Sequence, residues 1–174
     1  MKKIAYLLSI GIILTLVGCG TTNVPTKVTS TTPSTTEQVA PKAETFQIGD
    51  TFKLGDLQYK VNGVRTSAGT NQYMKPKEGN TFLLIDVTVE NQGKDEAGIS
   101  SMLSFKLSDK EGRSQELSLE ALTEARGKLD GSIPPGRKIT GELGFQIPTG
   151  PQSFELGIKA DLLSTGTAVV NIPV

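Results

Sequence analysis

Residues 81–91 read TFLLIDVTVEN, and their alternation decides the fold class. Leu83, Ile85, Val87 and Val89 fall on one side of an extended chain. Leu84, Asp86, Thr88 and Glu90 fall on the other. Apolar residues repeating every second position make a strand with one face in a core. The same period recurs downstream. Ile139, Leu143, Phe145 and Ile147 alternate with Lys138, Thr140, Glu142 and Gln146, and Gly141 at an inward position marks a bend or a close approach. Leu103, Phe105 and Leu107 oppose Ser104, Lys106 and Ser108. Phe154, Leu156 and Ile158 alternate with Glu155, Gly157 and Lys159. Ala168, Val170 and Ile172 alternate with Val169, Asn171 and Pro173.

Turn chemistry separates these runs. Gly49-Asp50 and Gly55-Asp56 flank a short strand over 51–54, and Asp109-Lys110-Glu111-Gly112 suits a hairpin loop. Pro135-Gly136 fits the centre of a type II turn, because proline presets the first angle and glycine accepts a positive second one. Pro148 closes the strand that follows. Short strands at this spacing predict an antiparallel sandwich or barrel. No unit of solenoid length repeats.

Two features stand outside the alternation. Residues 117–126, LSLEALTEAR, favour a helical turn or two across a sandwich end, with Leu119 and Leu122 on one face. Glu120 and Glu124 would also share a face. Paired carboxylates can do acid–base work, but a solvated helix surface explains them as well. The second feature is Phe82 with Leu84, an apolar pair on the nominally outer face of its strand. Either a neighbouring segment (117–126, or the loop 66–77) covers the pair, or it is a docking patch anchored by Phe82.

Composition narrows the chemistry. The chain has no histidine and no tryptophan. Without imidazole there is no His-dependent triad and no His-ligated metal. An enzyme would need a nucleophile–base or carboxylate pair converging in a cleft. Calcium-type oxygen ligands occur at Asp109 with Glu111, and at Lys94-Asp95-Glu96. Neither stretch has the spaced carboxylates and glycine of a calcium loop. The expectation is therefore no enzyme, no metal and no cofactor, with an envelope enzyme or calcium-binding module as the alternative.

The N-terminus supplies an address. Lys2 and Lys3 precede an uncharged run over residues 4–17. As a helix that run would rise roughly 21 Å, short of a hydrocarbon core of about 30 Å. A positively charged start and a short apolar run make an export signal. The segment Leu16-Val17-Gly18-Cys19 resembles the bacterial lipoprotein signal. The resemblance implies cleavage between Gly18 and Cys19 and a diacylglyceryl group on the Cys19 thiol. Two acyl chains suffice for durable anchoring, where one is marginal. Cys19 is the only cysteine, so the mature chain has no disulfide. The full chain has 18 basic and 18 acidic residues, and because Lys2 and Lys3 leave with the signal the mature chain keeps 16 basic against 18 acidic. A nearly neutral, slightly acidic chain argues against nucleic acid or an anionic lipid surface as the main partner.

Residues 20–45 are rich in Thr and Ser with spaced prolines, and hold too few large apolar residues to pack. They read as a disordered linker that, as a coil, spans roughly 28 Å. The predicted organisation is a signal peptide over 1–18, a lipidated cysteine and linker over 19–45, and a folded domain over 46–174.

Two stretches carry a family resemblance. Gly79, Asn80 and Phe82 open an alternating strand that ends in Asn91. Later, Pro135 and Gly136 lead to Gly141, Leu143, Phe145 and Pro148. Together they resemble a family of extracellular bacterial domains of unknown function, the DUF4352 type. That family belongs to the immunoprotective extracellular, immunoglobulin-like superfamily. The resemblance implies an all-β fold, an immunoglobulin-like antiparallel β-sandwich, and contributes no catalytic residue. The expected protein is a lipoprotein on the extracytoplasmic face of the cell membrane. Its sandwich would act as a binding or structural module of the envelope, with an unknown envelope protein or wall component as partner.

Overall fold

The structure, a computed structural model, describes residues 44–70, 73–159 and 167–174. Gly18, Cys19, the signal and the linker as far as residue 43 lie outside the described residues. The first elements are β1 (Glu44–Phe46), β2 (Thr51–Leu54), β3 (Leu57–Ser67) and β4 (Asn80–Asn91). Next come β5 (Ala97–Ile99), a helical turn α1 (Ser101–Ser104), β6 (Phe105–Asp109) and β7 (Ser114–Gln115). A second turn α2 (Leu119–Leu122) precedes β8 (Gly131–Ile133), β9 (Lys138–Pro148), β10 (Ser153–Lys159) and β11 (Thr167–Pro173).

Two sheets form the predicted sandwich. One has the order β1-β11-β10-β6-β7, the other β2-β3-β4-β9, and β5 pairs with β8 in a small ribbon. Among the described residues β1 alone pairs in parallel, with β11. The alternating faces meet between the sheets. Leu83, Ile85, Val87 and Val89 of β4 and Leu143, Phe145 and Ile147 of β9 are buried in one cluster with Leu107, Leu156, Ile158, Val170 and Ile172. Rings link the sheets on one side. Phe46 stacks on Phe52 at 4.2 Å, Phe52 on Tyr59 at 5.8 Å, and Tyr59 meets Phe105 edge-on at 6.5 Å.

The turns form as expected. The Arg137 amide donates to the Pro134 carbonyl at 3.0 Å around Pro135-Gly136, with Gly136 at φ 69°. Gly141 is a close approach rather than a bend. A Cβ there would sit 2.7 Å from the Lys128 backbone. Asn91, fully buried, closes β4. Its side-chain amide donates to the Asp95 and Ile133 carbonyls, each at 2.7 Å, and its oxygen accepts from the Gly93 amide at 2.9 Å.

Two expectations fail. Leu103 is not a core strand residue. The chain turns helically before β6, and Leu103 is 56% exposed. The turn is held by Asp130, whose carboxylate accepts from the Ser101 amide and hydroxyl at 2.9–3.0 Å, and by the Ser104 amide on the Ser100 carbonyl at 2.9 Å. In α2, Leu119 is 77% exposed and shares no packed face with Leu122. Ser118 caps this single turn by accepting from the Ala121 amide at 3.2 Å, which aims Ala121 inward. The turn lies on the outer face of the four-stranded sheet, not across a sandwich end. There Ala121 and Ala125 cover Phe82 and Leu84, both fully buried. Of the two explanations for that apolar pair, covering is the one that holds, and Phe82 is core.

Candidate functional site

The covering segment is held by a polar clamp. Arg65 on β3 donates from Nε and Nη2 to the two carboxylate oxygens of Glu142 on β9, at 2.9 and 2.7 Å. Nη2 also reaches the Glu124 carbonyl at 2.8 Å, and the Arg126 amide donates to Glu142 Oε2 at 2.7 Å. The Arg65 hydrogen bonds hold the Glu142 carboxyl below the usual glutamate range against the opposing effect of burial. The Glu124 carboxylate accepts from the Ser67 hydroxyl and from the amide and hydroxyl of Thr70. Those donors, Ser67 first, lower its pKa. Glu120 accepts from the Ser118 hydroxyl at 2.8 Å, and its pKa is also lowered, by backbone and then Ser118 hydrogen bonds. A general acid needs one carboxyl pushed upward. Glu120 and Glu124 are both pushed down, each by its own donors.

The Asp109 turn is likewise internally satisfied. Arg113 Nε lies 2.7 Å from Asp109 and its Nη2 3.0 Å from Glu111, so a guanidinium holds the oxygens that calcium would need. Among the described residues no three His, Cys, Asp or Glu side chains cluster as metal ligands. No helix among them is long and apolar enough to cross a membrane.

Among the open features of the described residues is a groove of about 540 Å³ along the start of β6. Its apolar lining comes from Phe105, Leu117 and Phe145, and its lips from Met102 and Leu103 of α1. It exists because β7 is only two residues long, leaving the first part of β6 without a neighbour on that side. Lys106 and Lys159 border it on the outer face of the five-stranded sheet, and the Glu116 carboxylate, next to Leu117, lines it as well. Gly157, opposite Lys106, keeps the surface between the lysines low. The arrangement can bind an amphiphilic surface and offers no nucleophile–base pair. Sequence reasoning missed it. Lys106 and Lys159 read as ordinary outward positions, and only the pairing register brings them together.

The comparisons with known proteins fit this architecture. Residues 46–169 match the family described as a domain of unknown function, DUF4352. The uncharacterized lipoprotein YjhA of Bacillus subtilis is 31% identical over 116 residues, covering 61% of this chain and 54% of YjhA. The uncharacterized protein YxkC of the same organism is 30% identical over 119 residues, covering 62% of this chain and 66% of YxkC. The chain thus spans about half to two-thirds of the length of the curated relatives it matches. The crystal structure of YjhA superposes with a TM-score of 0.57 at 28% identity, over 73% of this chain and 98% of that one. An uncharacterized β-sandwich protein from Clostridium difficile gives a TM-score of 0.54 at 14% identity, over 81% and 99%. That last likeness is one of fold alone.

Proposed function

The chain belongs to the DUF4352 family, and on that premise we propose that it is a lipid-anchored envelope lipoprotein whose β-sandwich binds or braces a component at the outer side of the membrane. The observation that carries this reading is Leu16-Val17-Gly18-Cys19 behind a charged, apolar leader and ahead of the sandwich. The likeness to the lipoprotein YjhA supports it. Anchoring would act through two acyl chains on Cys19. The module works by its surface. The one carboxylate pair considered for acid–base work, Glu120 and Glu124, is committed to hydrogen bonds with Ser118 and with Ser67 and Thr70. The balanced charge does not favour nucleic acid as partner.

The test is Cys19→Ser. It removes the thiol that receives the lipid, so the protein should accumulate as uncleaved precursor or be released from the cell. A Cys19→Ser chain that is cut after Gly18 yet resists salt and carbonate washing of membranes would sink the anchoring mechanism.

A further inference from the structure

One row of backbone pairing crosses the five-stranded sheet from Glu44 through Ala168 and Ile158 to Phe105. It sets the point where the preceding chain joins the sandwich at the same end as α1. Three strand spacings put roughly 14 Å between Glu44 and Phe105. At that end Met102 is 74% exposed and Leu103 56%. Lys106 and Lys159 project from the adjoining outer face, and the apolar groove opens between these groups. The opposite end of β6 carries the Asp109 turn, with Arg113, Glu111 and Lys110 in water.

We propose that this end of the sandwich docks on the phospholipid bilayer that holds the chain. Met102 and Leu103 enter the boundary between headgroups and acyl chains, and Lys106 and Lys159 lie at the level of the lipid phosphates. The proposal rests on lipid attachment at Cys19. Isolated exposed apolar side chains need no explanation, but two neighbours on the lip of an apolar groove, flanked by lysines, have the composition of an interfacial contact. The lysine stems can lie along the apolar surface while their ammonium groups reach phosphate.

The nearly neutral chain is consistent with this. Two lysines and two apolar side chains would recruit a free protein only weakly. A tethered domain needs no recruitment. Anchoring turns docking into an intramolecular event, and a weak contact becomes well populated at the effective concentration a short linker imposes. The tether also selects the end. It joins at Glu44, so the α1 end is the one that reaches a bilayer with the least of the linker extended.

The experiment uses the full chain, purified with its lipid and reconstituted in phosphatidylcholine–phosphatidylglycerol vesicles. With Cys19 acylated, Met102→Cys offers a single thiol for a spin label, and Lys110→Cys places the same label at the far end. The expected result is that a lipid-dissolved relaxation agent reaches the label at 102 several-fold better than a water-soluble one, with the order reversed at 110. Reversing both lysines, Lys106→Glu with Lys159→Glu, should return the label at 102 to water. If the labels at 102 and 110 are equally water-accessible, the docking is wrong. If the label at 102 is shielded from both agents, protein covers this end and the docking is equally wrong. Failure of the anchoring itself shows separately: the chain would not float with vesicles, and it would take up a second label at Cys19.

Discussion

Replacing Arg65 by methionine tests the clamp that holds the covering segment. The change keeps most of the side-chain volume and removes the charge. It deletes bonds of 2.9 and 2.7 Å to Glu142 and one of 2.8 Å to the Glu124 carbonyl. The Glu142 side chain, 5% exposed, then loses its paired counterion and keeps only the weaker attraction of Arg126, whereas Arg65 itself is 32% exposed. Breaking a fully buried pair costs about 3–5 kcal/mol. The water around Arg65 and the surviving Arg126 amide bond reduce that, so we expect a loss of about 2–3 kcal/mol at pH 7. Acid should shrink the difference. Glu142 has a lowered pKa when folded, so the pair contributes stability that is present above the unfolded glutamate pKa and lost as pH falls through the folded one. In Arg65→Met that contribution is already gone, and burial favours the protonated carboxyl. The gap between wild type and variant should therefore narrow once pH drops below the ordinary glutamate value of about 4.3. The double variant Arg65→Met with Glu142→Met should recover most of the loss, because no charge is stranded. Urea denaturation followed by circular dichroism at pH 7 and at about pH 3, well below the ordinary glutamate value, measures all three differences. A penalty that does not change with pH, or a double variant no better than the single, would refute the electrostatic account.

Phe82→Ala removes a fully buried ring beneath Ala121 and should cost about 3–5 kcal/mol by thermal denaturation; an unchanged melting temperature would contradict its core position. Gly144→Val should lift α2, because a Cβ at 144 would lie 2.9 Å from the Ala121 Cβ and from the Leu122 nitrogen. Limited proteolysis should then cut within 117–126 while the β-sheet circular dichroism persists; protection equal to wild type would show that α2 tolerates the side chain. Asn91→Asp should destabilise more than Asn91→Ala at pH 7, since a carboxylate would face the Asp95 and Ile133 carbonyls now 2.7 Å from the amide nitrogen. Denaturation midpoints that rank the other way would mean the amide is not the donor.

The sandwich was legible because burial on one face imposes a period of two, and β4 and β9 show it over many residues. The run Phe82-Leu83-Leu84-Ile85 also carried a sign of burial on both faces, but no local rule names what covers the second face. The cover comes from Ala121 and Ala125, small residues whose inward aim follows from the Ser118 cap. Leu103 had the right parity for a strand. Its displacement depends on Asp130, 29 positions from Ser101, and such a contact leaves no periodic trace. The Arg65–Glu142 pair spans 77 positions and is invisible for the same reason. The groove's lysines were legible only as outward residues, because their proximity is a property of how β6 and β10 align.

A pull on the linker would reach the sandwich through β1, a three-residue strand that, among the described residues, pairs with β11 alone. Its hydrogen bonds lie across the strand, so tension along the strand axis loads them together in shear, while a sideways pull peels them singly. With three paired residues β1 is the shorter hold, backed by the Phe46–Phe52 stack at 4.2 Å and, beyond it, by the Gly49 amide on the Val61 carbonyl at 2.8 Å. Release of β1 would free residues 44–48, as far as that Gly49 hydrogen bond, and lengthen the tether by at most roughly 15 Å with the rest of the sandwich still closed. That slack would absorb a transient load on the envelope. It would also leave the backbone of β11 open along one side, ready to take up another extended segment in place of the strand it had lost.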